Sequence, residues 1–365
     1  MKEQKNLFLA IGISIGIIVF FQLLFPTQPF EQPTTQNNTS DSEVLDPATS
    51  IDNKISTTTD IVKPKEEVLI KSERILIENS SLSGSINLTG AILDDLNLLD
   101  YKVSLEKDSK NIELLLPEET SNPYYIEFGW KEYNGNTIKI PDLNTKWESN
   151  GSKLTPSNPI TLKWKNESNI TFLINFSIDE NYMFSVKQEI INNSSSNIEV
   201  YPYRLIKRIN TPQTINFFIL HEGLISLLND ELLEKNYDDL EDDCTNALQV
   251  KDTYCDNKSS GGWLGFTDKY WMSTLIPAPN EPININYRHG NNGRDNYRAG
   301  YVGQIFKIGA GKSIVYDGKL FAGAKNLDIL NEYSKKLSIP RFTDAIDWGW
   351  FSFLTKPISY AINWF

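Results

Sequence analysis

The spacing of hydrophobic residues changes character several times along this chain. Residues 7–25 form one uncharged apolar run, broken only by Ser14 and Gln22. At helical rise it spans about 28 Å, close to the roughly 30 Å hydrocarbon core of a bilayer. Lys2 and Lys5 precede it. The positive-inside rule therefore predicts one N-terminal transmembrane helix (1–25), with the N-terminus cytoplasmic and the remainder outside. The run exceeds the usual signal-peptide core and no small-residue cleavage site follows, which points to an uncleaved anchor. Residues 26–66 are rich in Thr, Gln, Asn, Ser, Pro and Asp, with Phe30 as the only aromatic. Such a segment cannot bury enough apolar surface to offset its ordering entropy, so a disordered polar linker is expected. Its N-x-S/T triplets at Asn37 and Asn38 arise readily by chance in so Asn-rich a chain.

From Val68 the period falls near two. Residues 72–78, 170–178, 182–191 and 198–209 are rich in β-branched and aromatic residues and bounded by Asn, Ser and Asp clusters. Asn134-Gly135 is a hairpin turn signal. Closely spaced strands without long helices predict a mainly β, large antiparallel double sheet over 67–340. Helical spacing returns at Leu327, Leu330, Tyr333 and Leu337, with Pro340 ending the run. Beyond it, residues 341–365 read as an amphipathic helix lying at the membrane surface. Trp348, Trp350, Phe351, Leu354, Ile358 and Trp364 are its interface candidates, with Tyr360 in the aromatic belt. A buried helix of the β domain is the competing account.

The chain has 365 residues, 40% of them hydrophobic, and a net charge of -12. Such an acidic surface repels a phosphate backbone, so no nucleic acid is expected as a partner. Two His in the whole chain argue against a His-built metal or Ser-His-Asp site, and no cofactor is predicted. Gly309 to Ser313 ends like a phosphate-binding loop, but Phe306 stands where that motif needs Gly, so a β-turn is expected. The acid-rich stretch from Asp230 to Asp256 lacks the alternation and Gly of a calcium loop and reads as a solvated loop. It contains the only cysteines, Cys244 and Cys255. An even count outside a membrane favours a disulfide, with two free thiols as the alternative.

Several blocks carry a resemblance. These are Ser83-Gly84-Ser85-Ile86 with Leu96 and Tyr101; Trp263, Gly265, Asp268, Lys269, Tyr270 and Trp271 followed by Pro277; Tyr301-Val302-Gly303; Leu320 to Lys325; and Asp347-Trp348-Gly349-Trp350-Phe351 through Ile358. Together they resemble the N-terminal part of a Gram-negative YidC/Oxa family membrane protein insertase. The resemblance implies a periplasmic β-supersandwich with C-terminal helices. It also implies partners: the lipid bilayer, nascent inner-membrane proteins, and the Sec translocon with its accessory proteins. The hydrophilic insertion groove would lie in a helical bundle beyond Phe365. The implied function is insertion, folding and assembly of inner-membrane proteins without bond chemistry. The alternative is a membrane-anchored periplasmic carbohydrate-binding protein with a mutarotase-like sandwich. Against sugar chemistry, neither His221 nor His289 pairs visibly with a catalytic carboxylate. Trp263, Phe266, Tyr270 and Trp271 are expected in the core, with Asp268 and Lys269 as a local polar pair at a turn.

Overall fold

The computed structural model describes residues 62–349 except 107, 134, 136–137, 214–219 and 246–253, and in addition residues 355, 357 and 358. The expected anchor and the linker through residue 61 lie outside the described residues. Among the described residues no helix is long and apolar enough to cross a membrane.

The protein is mainly β. Sheet I runs, in spatial order, Asp256–Ser260 (β14), Pro282–Asn291 (β17), Asp295–Val302 (β18), Ile198–Ile209 (β11), Tyr124–Glu132 (β5), Ile92–Lys102 (β3), Leu82–Asn87 (β2), Arg74–Glu78 (β1) and Lys153–Leu154 (β7). Phe306–Ile308 (β19) adds to β11 and Asn111–Leu115 (β4) to β3. Sheet II runs Glu231–Lys235 (β13), Gly223–Leu228 (β12), Trp263–Thr267 (β15), Trp271–Pro277 (β16), Lys312–Ala324 (β20), Met183–Asn192 (β10), Ile170–Ile178 (β9), Ile160–Lys165 (β8) and Glu148–Ser149 (β6). The described strand pairs are antiparallel, except that β1 lies parallel to β7.

Alternation sets the register. In β9, Ile170, Phe172, Ile174, Phe176 and Ile178 turn inward, while Leu173, Asn175 and Ser177 are half-exposed. Phe176 meets Phe128 of the opposite sheet edge-to-face at 5.6 Å. Each such fully buried side chain contributes about 1.5–3 kcal/mol. One charge crosses this core. Arg204 of β11 is fully buried and donates to Gln188 Oε1 at 3.0 Å and Val186 O at 2.8 Å on β10. Gly318 of β20 makes room for it, since a Cβ there would lie 2.2 Å from Arg204 Nη1.

The helices are short: Lys65–Leu69 (α1), Tyr237–Asp243 (α2) and Leu327–Lys336 (α3). In α3, Asn326 caps the N-terminus, and Leu327, Leu330 and Tyr333 are buried, as their helical spacing predicts. The Tyr333 hydroxyl donates to Asp179 Oδ2 at 2.6 Å and accepts from Tyr182 N at 3.1 Å, which fixes α3 to the turn between β9 and β10.

Three expectations need correction. The acidic stretch is not simply a solvated loop, because it contains α2. Asn236 and Asp239 form a reciprocal capping box there, and Tyr237 and Leu240, three residues apart, are buried on one face. Of the turn expected at Asn134-Gly135, residues 134, 136 and 137 lie outside the described residues; β5 before it pairs with β11, with a single bridge to β3. The segment from 341 does not begin as a surface helix. Phe342–Ala345 is one 3-10 turn whose Phe342 and Ala345 are buried, because Phe342 finds an aromatic site on sheet II. Tyr270 is not core but 55% exposed, since it sits at the tip of the β15–β16 turn. The segment Gly309 to Ser313 is a tight turn between β19 and β20, closed by Lys312 N donating to Gly309 O at 3.1 Å.

Cys244 and Cys255 form a disulfide with a Cα separation of 5.7 Å. Closing a ring of 11 residues' separation contributes about 2–3 kcal/mol by the chain-entropy account. The paired substitution Cys244→Ser and Cys255→Ser is expected to lower unfolding free energy by about that amount in urea titration. An unchanged midpoint contradicts it.

Candidate functional site at the domain exit

The motif of residues 263–271 forms the β15–β16 hairpin. Thr267 pairs with Met272, and Asp268 N donates to Trp271 O at 2.8 Å to close the turn. Gly265 lies where a Cβ would come 2.0 Å from Ser273 O, so only glycine lets these strands approach. Trp263 is fully buried, and its indole N–H donates to Pro340 O at 3.0 Å. Its ring meets Phe342 edge-to-face at 5.5 Å, and Phe342 meets Phe321 of β20 at 5.4 Å. The hairpin is thus the seat on which the chain lies as it leaves the β domain.

Two left-handed residues steer the chain into that seat, Ser338 at φ 54° and Arg341 at φ 46°. Arg341 donates to Asp344 Oδ2 at 2.8 Å and to Asp230 O at 2.7 Å. Farther out, the Trp348 indole donates to Thr343 O at 3.0 Å. Asp347 accepts from His221 N at 2.9 Å and from Gly349 N at 2.8 Å.

A charged cluster surrounds this exit. Asp268 pairs across the sandwich with Arg208 of β11 at 2.8 Å, not with Lys269. Arg208 also donates to the Tyr237 hydroxyl at 3.0 Å and lies 4.7 Å from the Tyr124 ring centroid. Lys269 gives its main-chain N–H to Glu222 Oε1 at 3.2 Å, and its ammonium lies 4.8 Å from the Tyr270 ring centroid. Lys325, one residue beyond β20, donates to Thr267 Oγ1 at 2.9 Å. Burial lowers the Lys325 ammonium to about 8, against the opposing pull of Asp268, Asp347, Glu222 and Glu234. Burial also raises the Glu234 carboxyl, with His221 and Lys325 offsetting and Asp347 and Asp344 adding to the rise. This arrangement holds a segment by an apolar insertion and a polar fringe.

Of the expected site residues, Trp263, Gly265, Asp268 and Lys269 converge here. Trp271 is half-buried beside Tyr270, with ring centroids 5.9 Å apart. Trp348 is half-buried in the exit segment. Trp350, Phe351, Leu354, Tyr360 and Trp364 lie outside the described residues, and Ile358 is 47% exposed. The disulfide belongs elsewhere, at the end of α2. Sequence reading missed Arg208, Lys325, Glu234 and the insertion of Phe342. A signal existed for Arg208: Val200, Arg204, Ile206 and Arg208 share one face of β11 at period two, so both arginines point into a core. The groove of about 450 Å³ beside this seat is lined by Lys187, Asp317 and Lys319 and by Leu337 to Pro340.

Two outcomes are expected. Phe342→Ala removes the inserted ring, costs about 3–5 kcal/mol of stability, and speeds amide exchange at residues 341–349. Exchange unchanged there contradicts the seating. For Lys325, the folded chain releases the proton near pH 8, the unfolded chain near 10.5. Stability contributed by this group therefore rises with pH across that window, and the cost of the buried charge is complete below it. Lys325→Met is expected to raise the melting temperature at pH 7, the gain shrinking above pH 8. A pH-independent gain, or a loss, contradicts the assignment.

The profile of the YidC periplasmic domain matches residues 74–361. The membrane protein insertase YidC of Granulibacter bethesdensis is 34% identical over 365 residues, covering 99% of this chain and 62% of that protein. That of Rickettsia bellii is 35% identical over 361 residues, with the same coverages of 99% and 62%. The chain thus spans 62% of the length of these relatives. Among solved structures, a galactose mutarotase related enzyme from Lactobacillus acidophilus has a TM-score of 0.45 at 11% identity, covering 68% of this chain and 97% of that one. At that level no chemistry transfers to this chain.

Proposed function

Because this chain belongs to the family of the YidC periplasmic domain, we propose that it is the N-terminal and periplasmic portion of a membrane protein insertase. In this reading, residues 1–25 anchor the chain in the Gram-negative inner membrane with a cytoplasmic N-terminus, residues 26–66 tether, and the rest is periplasmic. The protein assists insertion, folding and assembly of inner-membrane proteins, alone or with the Sec translocon and its accessory proteins, and performs no bond chemistry. The observation that carries the reading is identity of 34–35% with two such insertases over 99% of the chain. The β domain acts as a rigid base that sets where the segment after Gly349 begins its approach to the bilayer. The interface residues Trp348, Trp350, Phe351, Leu354, Ile358 and Trp364 would meet lipid there. The carbohydrate-binding alternative is not favoured, since fold likeness is all that supports it.

Membrane vesicles depleted of the protein that carries this chain, then resupplied with it, test the proposal. Protease protection of a single-spanning client is expected to return on resupply, and to return less fully with Phe342→Ala. Equal protection in depleted and resupplied vesicles overturns the proposal.

A further inference from the structure

Away from the exit, α2 brings a carboxylate to the end of the β17–β18 hairpin. Glu241 of α2, His289 of β17 and Asp295 of β18 place one ligand-type atom each within 4.8 Å of one another. We propose that these three residues form a binding site for a divalent transition-metal cation, with zinc the ion their donor set suits.

The convergence of three donor atoms on one point carries the argument. Thr245 Oγ1 donates its proton to Glu241 O, so its lone pair faces His289 Nδ1 at 2.6 Å and accepts an N–H from it. A neutral imidazole protonated at Nδ1 bears its lone pair on Nε2. That atom lies 3.1 Å from Asp295 Oδ1, where either a proton, in an imidazolium–carboxylate pair, or a cation can join the two. A cation bound there takes the place of that proton, and Glu241, whose carboxylate lies within 4.8 Å of both atoms, supplies the third donor. One imidazole nitrogen and two carboxylate oxygens suit zinc, whereas magnesium prefers oxygen alone.

The surroundings are those of a supported site. A hydroxyl partner on the distal nitrogen, and donors on each carboxylate, are what orient metal ligands. Tyr297 donates its hydroxyl to Glu241 Oε1, and Asn291 Nδ2 donates to Asp295 Oδ1 at 2.6 Å. His289 is 6% exposed at its side chain, while Asp295 is 31% exposed and leaves an entry path. The disulfide lies beside the site, and His289 N donates to Cys244 O at 3.1 Å, which stitches the end of α2 to β17. Sequence reading set a His-built site aside because the chain has two His, and Glu241 joins the other two residues only through the fold.

Competition for zinc between the full chain, in detergent with its disulfide intact, and a chromophoric chelator tests the proposal. The chain is expected to take one equivalent of zinc, with no competition from magnesium. His289→Gln and Glu241→Gln abolish that binding, while Asp242→Asn on the exposed face of α2 preserves it. Thr245→Val, which leaves all three ligands in place, weakens it about 10–100-fold. As a second readout, zinc raises the melting temperature of the unaltered chain. Failure to compete, equal binding by the His289 and Asp242 variants, or a melting temperature indifferent to zinc overturns the site.

Discussion

The seating of Phe342 between Trp263 and Phe321 fixes where the chain leaves the sandwich. Both neighbours belong to strands in the body of sheet II, β15 and β20, which share β16 as a neighbour. The contact therefore rests on a hydrogen-bonded three-strand unit, not on a loop. Its geometry is over-determined: the indole bond to Pro340 O sets the height of the chain, and the two edge-to-face contacts set the orientation of the ring. Residues 340–345 are therefore held in one position against sheet II.

Two arginines of β11, in sheet I, reach across to sheet II. Arg208 reaches the β15–β16 turn through Asp268. Arg204 reaches β10 through two hydrogen bonds, with its guanidinium between the rings of Phe128 and Tyr316 at 5.7 and 5.4 Å. A buried cation is costly relative to an apolar side chain of similar volume. Such pairs constrain which strand faces which, because a slip by one residue would turn both arginines to the opposite face of the sheet. The sandwich thus gains a fixed register at the expense of some stability.

How much of this was legible follows from the range of each signal. Residues 170–178 and 198–209 are strands with those same bounds, because alternation is a local property and both faces differ in polarity. Helix α3 was visible for the same reason at helical spacing. Helix α2 was hidden because counting acids masked a capping box with two apolar residues behind it. The partner of Asp268 was assigned locally to Lys269, whereas the real partner lies 60 residues away on the other sheet. Phe342 fell unremarked within the segment 341–365 read as a surface helix, because sequence alone does not tell whether an apolar residue meets lipid or a tryptophan. Only the fold separates these, since the receptor lies far back in the chain.

The two kinds of contact at the exit respond differently to their surroundings. The inserted ring depends on apolar burial and carries no titrating group. The fringe around Asp347 depends on charge, with Glu234 raised and Lys325 lowered by the same burial. Partly exposed charges weaken with salt, and these two groups shift toward neutrality at opposite ends of the pH range. The same segment is thus held by two kinds of contact that answer to different conditions, an apolar seat at Phe342 and a polar fringe at Asp347.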